Sequence, residues 1–135
     1  MIREIPVHQI SRNICQMCIE ANIRLSSDMQ KGLARAGKEE ISPLGKKVLE
    51  QLEENLEIAG QEQIPICQDT GMAVVFLEVG QDVHLIDGDL RKAVNEGVRR
   101  GYREGYLRKS VVRDPILREN TRDNTPAVLY VKLVP

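Results

Sequence analysis

The stretch AVVFLEVGQDVHLIDGDLRKAVNEGVRRGYREGYL, residues 73–107, changes its hydrophobic period halfway, and that change decides the fold class. Residues 73–80 are mostly apolar and β-branched, which reads as a strand buried on one face or both. DVHLI, residues 82–86, is a second and shorter strand. Asp87-Gly88-Asp89 then supplies a helix cap, and Leu90, Ala93, Val94, Val98, Tyr102 and Tyr106 recur at steps of three and four. That is the period of a helix with one apolar side. Its other side is crowded with Arg and Glu, as a solvated helix surface is. TPAVLYVKLV, residues 125–134, reads as a final strand, with Pro126 at its first position where no ladder donor is needed.

Upstream the chain reads as helix. Ser11 can cap a run through Leu25 in which Ile14, Cys18, Ala21 and Leu25 form a stripe with Met17 beside it. Ser27 and Asp28 can open a short, mostly polar helix over 29–40. Ser42-Pro43 opens a longer one, with Pro in the first turn, where its missing N–H costs nothing. Leu44, Val48, Leu52, Leu56 and Ala59 make its stripe, and Gly60 is the expected end. The expectation is an α+β fold, or an irregular α/β one. It has a helical amino-terminal half, then a small sheet with one long helix between strands, all within a single domain over 1–135.

Composition narrows the function classes. The 135 residues are 41% apolar and 29% charged with a net charge of −1, an ordinary globular balance with no electrostatic footprint for nucleic acid or anionic lipid. One Phe, three Tyr and no Trp argue against base-stacking platforms. No apolar run approaches the roughly 20 residues of a membrane span, and the opening MIREIPVHQISR lacks the apolar centre of a signal peptide. Three cysteines are an odd number and form no disulfide framework, which points to a reducing cytoplasm.

Cys15 and Cys18 form C-x-x-C inside the first helix, without the second ligand pair that a zinc site needs. Lying in an apolar stripe, they read as small core hydrophobes. Cys67 differs. It follows Pro65, precedes the turn Gln68-Asp69-Thr70-Gly71, and belongs to no periodic face. A loop thiol at a strand end can meet a cleft, with Gln68 and Asp69 supplying an amide and a carboxylate beside it. The residues alone leave nucleophile, metal ligand and iron–sulfur ligand open. A nucleophile would want a base, and His8 and His84 read as surface or edge residues. A turn that merely contains Cys is as good a reading at this point.

PICQDTGMAVVFLEVG, residues 65–80, resembles the Cys-Gln-Asp-Thr-Gly signature of the class I fumarate hydratases and the related tartrate dehydratase α subunits. YLRKSVVRDP, from Tyr106, is similar to that family's Leu-Arg-x-Ser segment. RENTRDNTPAVLYVKLVP, from Arg118, is similar to its Asn-Thr-x-x-Asn-x-Pro-Ala stretch. With the opening helices, the resemblance covers essentially the whole chain.

It implies a hydro-lyase that adds water to, or removes it from, a small dicarboxylate such as fumarate/malate or tartrate. It also implies a [4Fe–4S] cluster held by three cysteines, with one iron open to substrate. Cys67 would be one cluster ligand. Gln68 and Asp69 would face the substrate, Asp69 near the departing hydroxyl, and Arg108 would pair with a substrate carboxylate. Asn120, Thr121, Asn124 and Thr125 would shape the loop beneath. The other two ligands and the base that takes the carbon-bound proton would lie outside this chain. It is therefore expected to be the amino-terminal part of an α subunit, inactive alone, working with a β subunit in a dimeric assembly. Two other classes remain to be distinguished: a non-catalytic binding or assembly module that keeps the fold, and a zinc domain using Cys15, Cys18, Cys67 and one histidine.

Overall fold

In the computed structural model, which describes residues 2–135, the elements run β1 (Arg3–Pro6), α1 (Val7–Ile23), α2 (Ser27–Glu39), α3 (Pro43–Glu62), β2 (Val74–Gly80), β3 (Val83–Ile86), α4 (Leu90–Glu104) and β4 (Val128–Val134). The α+β expectation holds. The strands form two separate parallel pairs, β1 with β3 and β2 with β4. In the second, Val74 lies opposite Val128 and the register continues to Gly80 opposite Val134. Parallel neighbours need a long crossover, and β3 with α4 provides it.

α1 and α4 form the centre, pressed together by the small residues of α4. A Cβ on Gly97 would stand 2.6 Å from the Ser11 carbonyl oxygen, and one on Gly101 would stand 2.8 Å from Cys18 Cβ and 2.9 Å from the Cys15 carbonyl oxygen. Around this seam Ile14, Val94, Val98, Tyr102, Leu107 and Ala127 make the buried core. Ala73, Val75 and Leu129 of the β2–β4 region pack against it.

Several boundaries differ from expectation, each for a physical reason. β1 escapes the sequence reading because four residues, two of them charged, carry no pattern, and its partner is some eighty residues away. α1 therefore starts at Val7 after Pro6, and Ser11 is buried inside the helix instead of capping it. Gly60 does not end α3. The helix continues to Glu62 and stops where Gln63 turns left-handed, φ 55°. The Ser42 cap is present, its hydroxyl accepting from the Gly45 N–H at 3.3 Å. α4 stops at Glu104, so Tyr106 is not on its apolar side; Tyr106 takes φ 54° and is 90% exposed, while Leu107 occupies the core. Pro126 precedes β4 and does not open it.

Much apolar surface is uncovered. On α3, Leu44, Val48 and Leu52 are exposed, and only Ala59 is buried. β2 is buried on one face only: Phe76 is 75% exposed and stacks on Tyr130 of β4, ring centroids 5.1 Å apart. The accessible surface is 9976 Å², against about 7,100 Å² for a folded monomer of this mass. Parallel sheets ordinarily have both faces covered.

Candidate active site

The loop between α3 and β2 is clamped at both ends and exposed in its middle. On the approach, the Ile66 N–H donates to the Asn22 carbonyl of α1 at 2.8 Å, and Asn55 Nδ2 of α3 donates to the Ile66 carbonyl at 3.0 Å. Two helices thus fix the residue immediately before Cys67. Beyond the turn, buried Thr70 donates its hydroxyl to the Arg108 carbonyl at 2.9 Å. The Thr70 carbonyl accepts from Tyr102 Oη at 2.8 Å, and the Gly71 carbonyl accepts from Asn124 Nδ2 at 3.0 Å. Gly71 takes φ +58°, a left-handed conformation that glycine adopts freely.

Cys67, Gln68 and Asp69 are all exposed between these clamps. The Asp69 N–H points at Cys67 Sγ, 3.4 Å away, and the Gly71 N–H at Asp69 Oδ1, also 3.4 Å. The turn is therefore held by Thr70 and Gly71, leaving thiol, amide and carboxylate free to meet a ligand. The Thr70 bond places Arg108, an exposed residue, on the loop that abuts this turn. The structure thus brings the Cys67–Asp69 turn and the Arg108 segment together, although 38 positions separate Thr70 from Arg108.

Two residues do more than the sequence disclosed. Tyr102 sits in the apolar stripe of α4, but its hydroxyl anchors the turn. Burial, with Cys18 nearby, raises its pKa, so it remains a hydrogen-bond donor. Asn124 is completely buried and links the turn to the Arg108 loop. The resemblance singles out Asn124 as a residue that shapes the loop, but the sequence does not disclose which backbones its amide reaches. Of its neighbours, Asn120 donates to the Lys109 carbonyl at 2.8 Å, and Thr121 donates to the Val111 carbonyl at 3.2 Å.

Cys15 and Cys18 are not at the turn. Cys15 is buried against α4, where burial, and then its hydrogen bond to Glu104, raise its pKa. Burial pushes Cys18 up to about 11. Among the described residues no three His, Cys, Asp or Glu side chains gather as a metal site, so Cys15, Cys18 and Cys67 do not assemble the zinc set considered above. His8 and His84 are exposed. Among the described residues no helix is long and apolar enough to cross a membrane.

Thiol chemistry should follow this division. At pH 8 Cys18 holds about one part in a thousand as thiolate, since its pKa is raised to about 11. In the native protein an alkylating reagent is expected to modify Cys67 first, leaving Cys15 and Cys18 unmodified until unfolding. Peptide mapping after a timed reaction checks the order, and early labelling of Cys18 would contradict it.

The exposed turn and the loop that carries Arg108 thus meet just ahead of β2, held together by the Thr70–Arg108 bond. The chain belongs to the fumarate hydratase (Fumerase) family, whose sequence model matches residues 11–135. It is 36% identical over 117 residues to a candidate L(+)-tartrate dehydratase subunit alpha of Methanocaldococcus jannaschii, covering 86% of this chain and 41% of that protein. It is 24% identical over 119 residues to a candidate class I fumarate hydratase of Geobacillus stearothermophilus, covering 87% of this chain and 23% of that one. The chain thus spans less than half the length of either relative.

Proposed function

We propose that the chain is the amino-terminal part of a hydro-lyase α subunit that reversibly adds water to, or removes it from, a small dicarboxylate, fumarate/malate or tartrate. The observation that carries this reading is the Thr70–Arg108 hydrogen bond, which sets the thiol–amide–carboxylate turn beside a loop bearing an arginine. The unusually large accessible surface and the bare faces of α3 and β2 support a chain that works against further protein. A β subunit, dimerisation of the assembly and a cytoplasmic setting belong to the same proposal.

The residues present fit an iron–sulfur cluster in part. Cys67 is an exposed thiol whose sulfur already faces a backbone N–H. It would hold one iron of a [4Fe–4S] cluster, with the remaining thiolates coming from elsewhere in the enzyme. Such a cluster supplies a Lewis acid that stabilises hydroxide as a leaving group.

Residues of this chain would bind the diacid and handle the hydroxyl proton, while the base that takes the carbon-bound proton lies elsewhere in the enzyme. Gln68 donates its amide to a substrate carboxylate and sets its plane. Asp69 has Oδ1 engaged by the Gly71 N–H, which leaves Oδ2 to give a proton to the departing hydroxide, forming water, and to take one from water when it adds. Arg108 forms a two-bonded fork with the second carboxylate.

The test is anaerobic reconstitution of the full-length enzyme with its partner, followed by fumarate hydration and L(+)-tartrate dehydration. Turnover of one of them is expected, and none by residues 1–135 alone. Failure on both with a fully assembled enzyme would overturn the reading. Within that assay Arg108→Lys keeps the charge but loses the fork, and kcat/KM should fall about 10- to 100-fold, the worth of a charged hydrogen bond. An unchanged kcat/KM would remove Arg108 from the substrate.

A further inference from the structure

Asn124 does more than its left-handed backbone requires. It is 0% exposed and adopts φ 61°, and its side chain reaches the backbones of two other segments as well as the Tyr102 hydroxyl. Oδ1 accepts from the Ser110 N–H at 2.7 Å and the Val111 N–H at 3.0 Å. Nδ2 donates to the Gly71 carbonyl at 3.0 Å. One amide therefore holds the segment just after Arg108 and the segment just after Asp69 at a fixed separation. Burying an amide carries a penalty unless it is fully bonded, and here it is.

We infer that Asn124 is a positioning residue for dicarboxylate binding: it fixes the Asp69 turn and the Arg108 loop relative to one another. The inference rests on the functional reading above, in which these two loops grip opposite ends of the substrate. The thiol turn has its own tether through Tyr102, and Arg108 has its tether through Thr70. Asn124 adds the third strut. Without it the two loops keep the Thr70–Arg108 bond and the indirect link through Tyr102, and lose their tie at Ser110 and Val111.

The chemistry of the position is narrow. It needs two acceptances on one atom and a donation from the other, at a left-handed backbone that Asn tolerates. Aspartate keeps the acceptor for Ser110 and Val111 but sets a carboxylate oxygen against the Gly71 carbonyl. Glycine keeps the backbone conformation and removes the amide altogether. The two variants separate the conformational role of the residue from its bonds.

The experiment uses the full-length enzyme with its cluster, and malate and L(+)-tartrate as probes. In Asn124→Gly the dissociation constant and KM of the accepted diacid are expected to rise at least about tenfold, the loss of one well-placed strut. Turnover per assembled cluster is expected to fall as well, since the same turn carries Asp69. Hydrogen exchange of peptides covering Ser110 and Val111 should accelerate. Asn124→Asp should raise KM likewise while protecting Ser110 and Val111, and it stands in if the glycine variant does not fold.

Affinity and KM equal to wild type, with only a lowered melting temperature, would overturn the inference and leave Asn124 a stabilising residue. Unchanged exchange at Ser110 and Val111 in Asn124→Gly would overturn it too. Failure of the functional reading looks different: wild-type enzyme would then neither bind nor turn over either diacid, and this inference would fall with it.

Discussion

Replacing Cys67 by serine in the full-length enzyme is expected to abolish both cluster iron and hydro-lyase turnover, while Cys15→Ser and Cys18→Ser leave the iron content unchanged. The contrast follows from where the three thiols sit. Cys67 is exposed on a doubly clamped turn, with a backbone N–H directed at its sulfur. Serine offers a harder oxygen that remains protonated at neutral pH and is a poor ligand for an iron–sulfur centre. Loss of an outer-shell partner costs roughly 10- to 100-fold in metal affinity, and loss of a ligand itself exceeds that. Cys15 and Cys18 instead line the α1–α4 seam, and burial raises both thiols above the ordinary range. Serine there exchanges a small hydrophobe for a hydroxyl and lowers stability without touching iron. Iron assays on the three variants, assembled side by side without oxygen, check this. Retained iron in Cys67→Ser, or loss in Cys18→Ser, contradicts it.

The second large effect is on stability. Gly97→Ala sets a methyl group 2.6 Å from the Ser11 carbonyl oxygen and 2.9 Å from Ile14 Cβ. The first of these is backbone in mid-helix and cannot swing aside, so α1 and α4 must separate. Overpacking of this kind costs about 1–3 kcal/mol and at times more, and here it opens the seam that carries most of the core. Gly60→Ala is the matched control: a Cβ there meets nothing within 4 Å, and the residue is inside α3. Removing a helical glycine without a clash should stabilise by about 0.5–1 kcal/mol. Denaturant melts of the two variants should move in opposite directions. Equal shifts would show that α1 and α4 are less tightly apposed than the structure has them.

These glycines also mark where reading the sequence stops. Large apolar residues of α4 announce its buried side by their period, and Val94, Val98 and Tyr102 are indeed core. Gly97 and Gly101 lie in the same contact but carry no apolar signal, because their role is to be absent at the closest approach. The apolar stripe of α3 is legible as a helix, yet Leu44, Val48 and Leu52 remain exposed. Periodicity reports which face seeks cover and says nothing of what covers it. β1 was invisible because a four-residue pairing across the chain is a non-local event.

The candidate site divides in the same way. Cys67, Gln68, Asp69 and Arg108 stand out through motif and residue chemistry, and the exposed turn with its clamped ends gives the first three a shared setting. The clamps were not legible. Tyr102 has the period of a core residue and hides the function of its hydroxyl, and Asn124 stands in a motif that marks it as a loop residue without saying which segments it joins. Roles that depend on which distant backbone a polar atom reaches cannot be drawn from spacing.

The measurement that bears most directly on the account is Mössbauer spectroscopy of the full-length enzyme, reconstituted anaerobically with iron-57, before and after adding the diacid it turns over. The account predicts a cluster with one distinct iron whose signal shifts on adding substrate, and no such cluster in Cys67→Ser. A cluster of the same amount and the same substrate response in Cys67→Ser would contradict it.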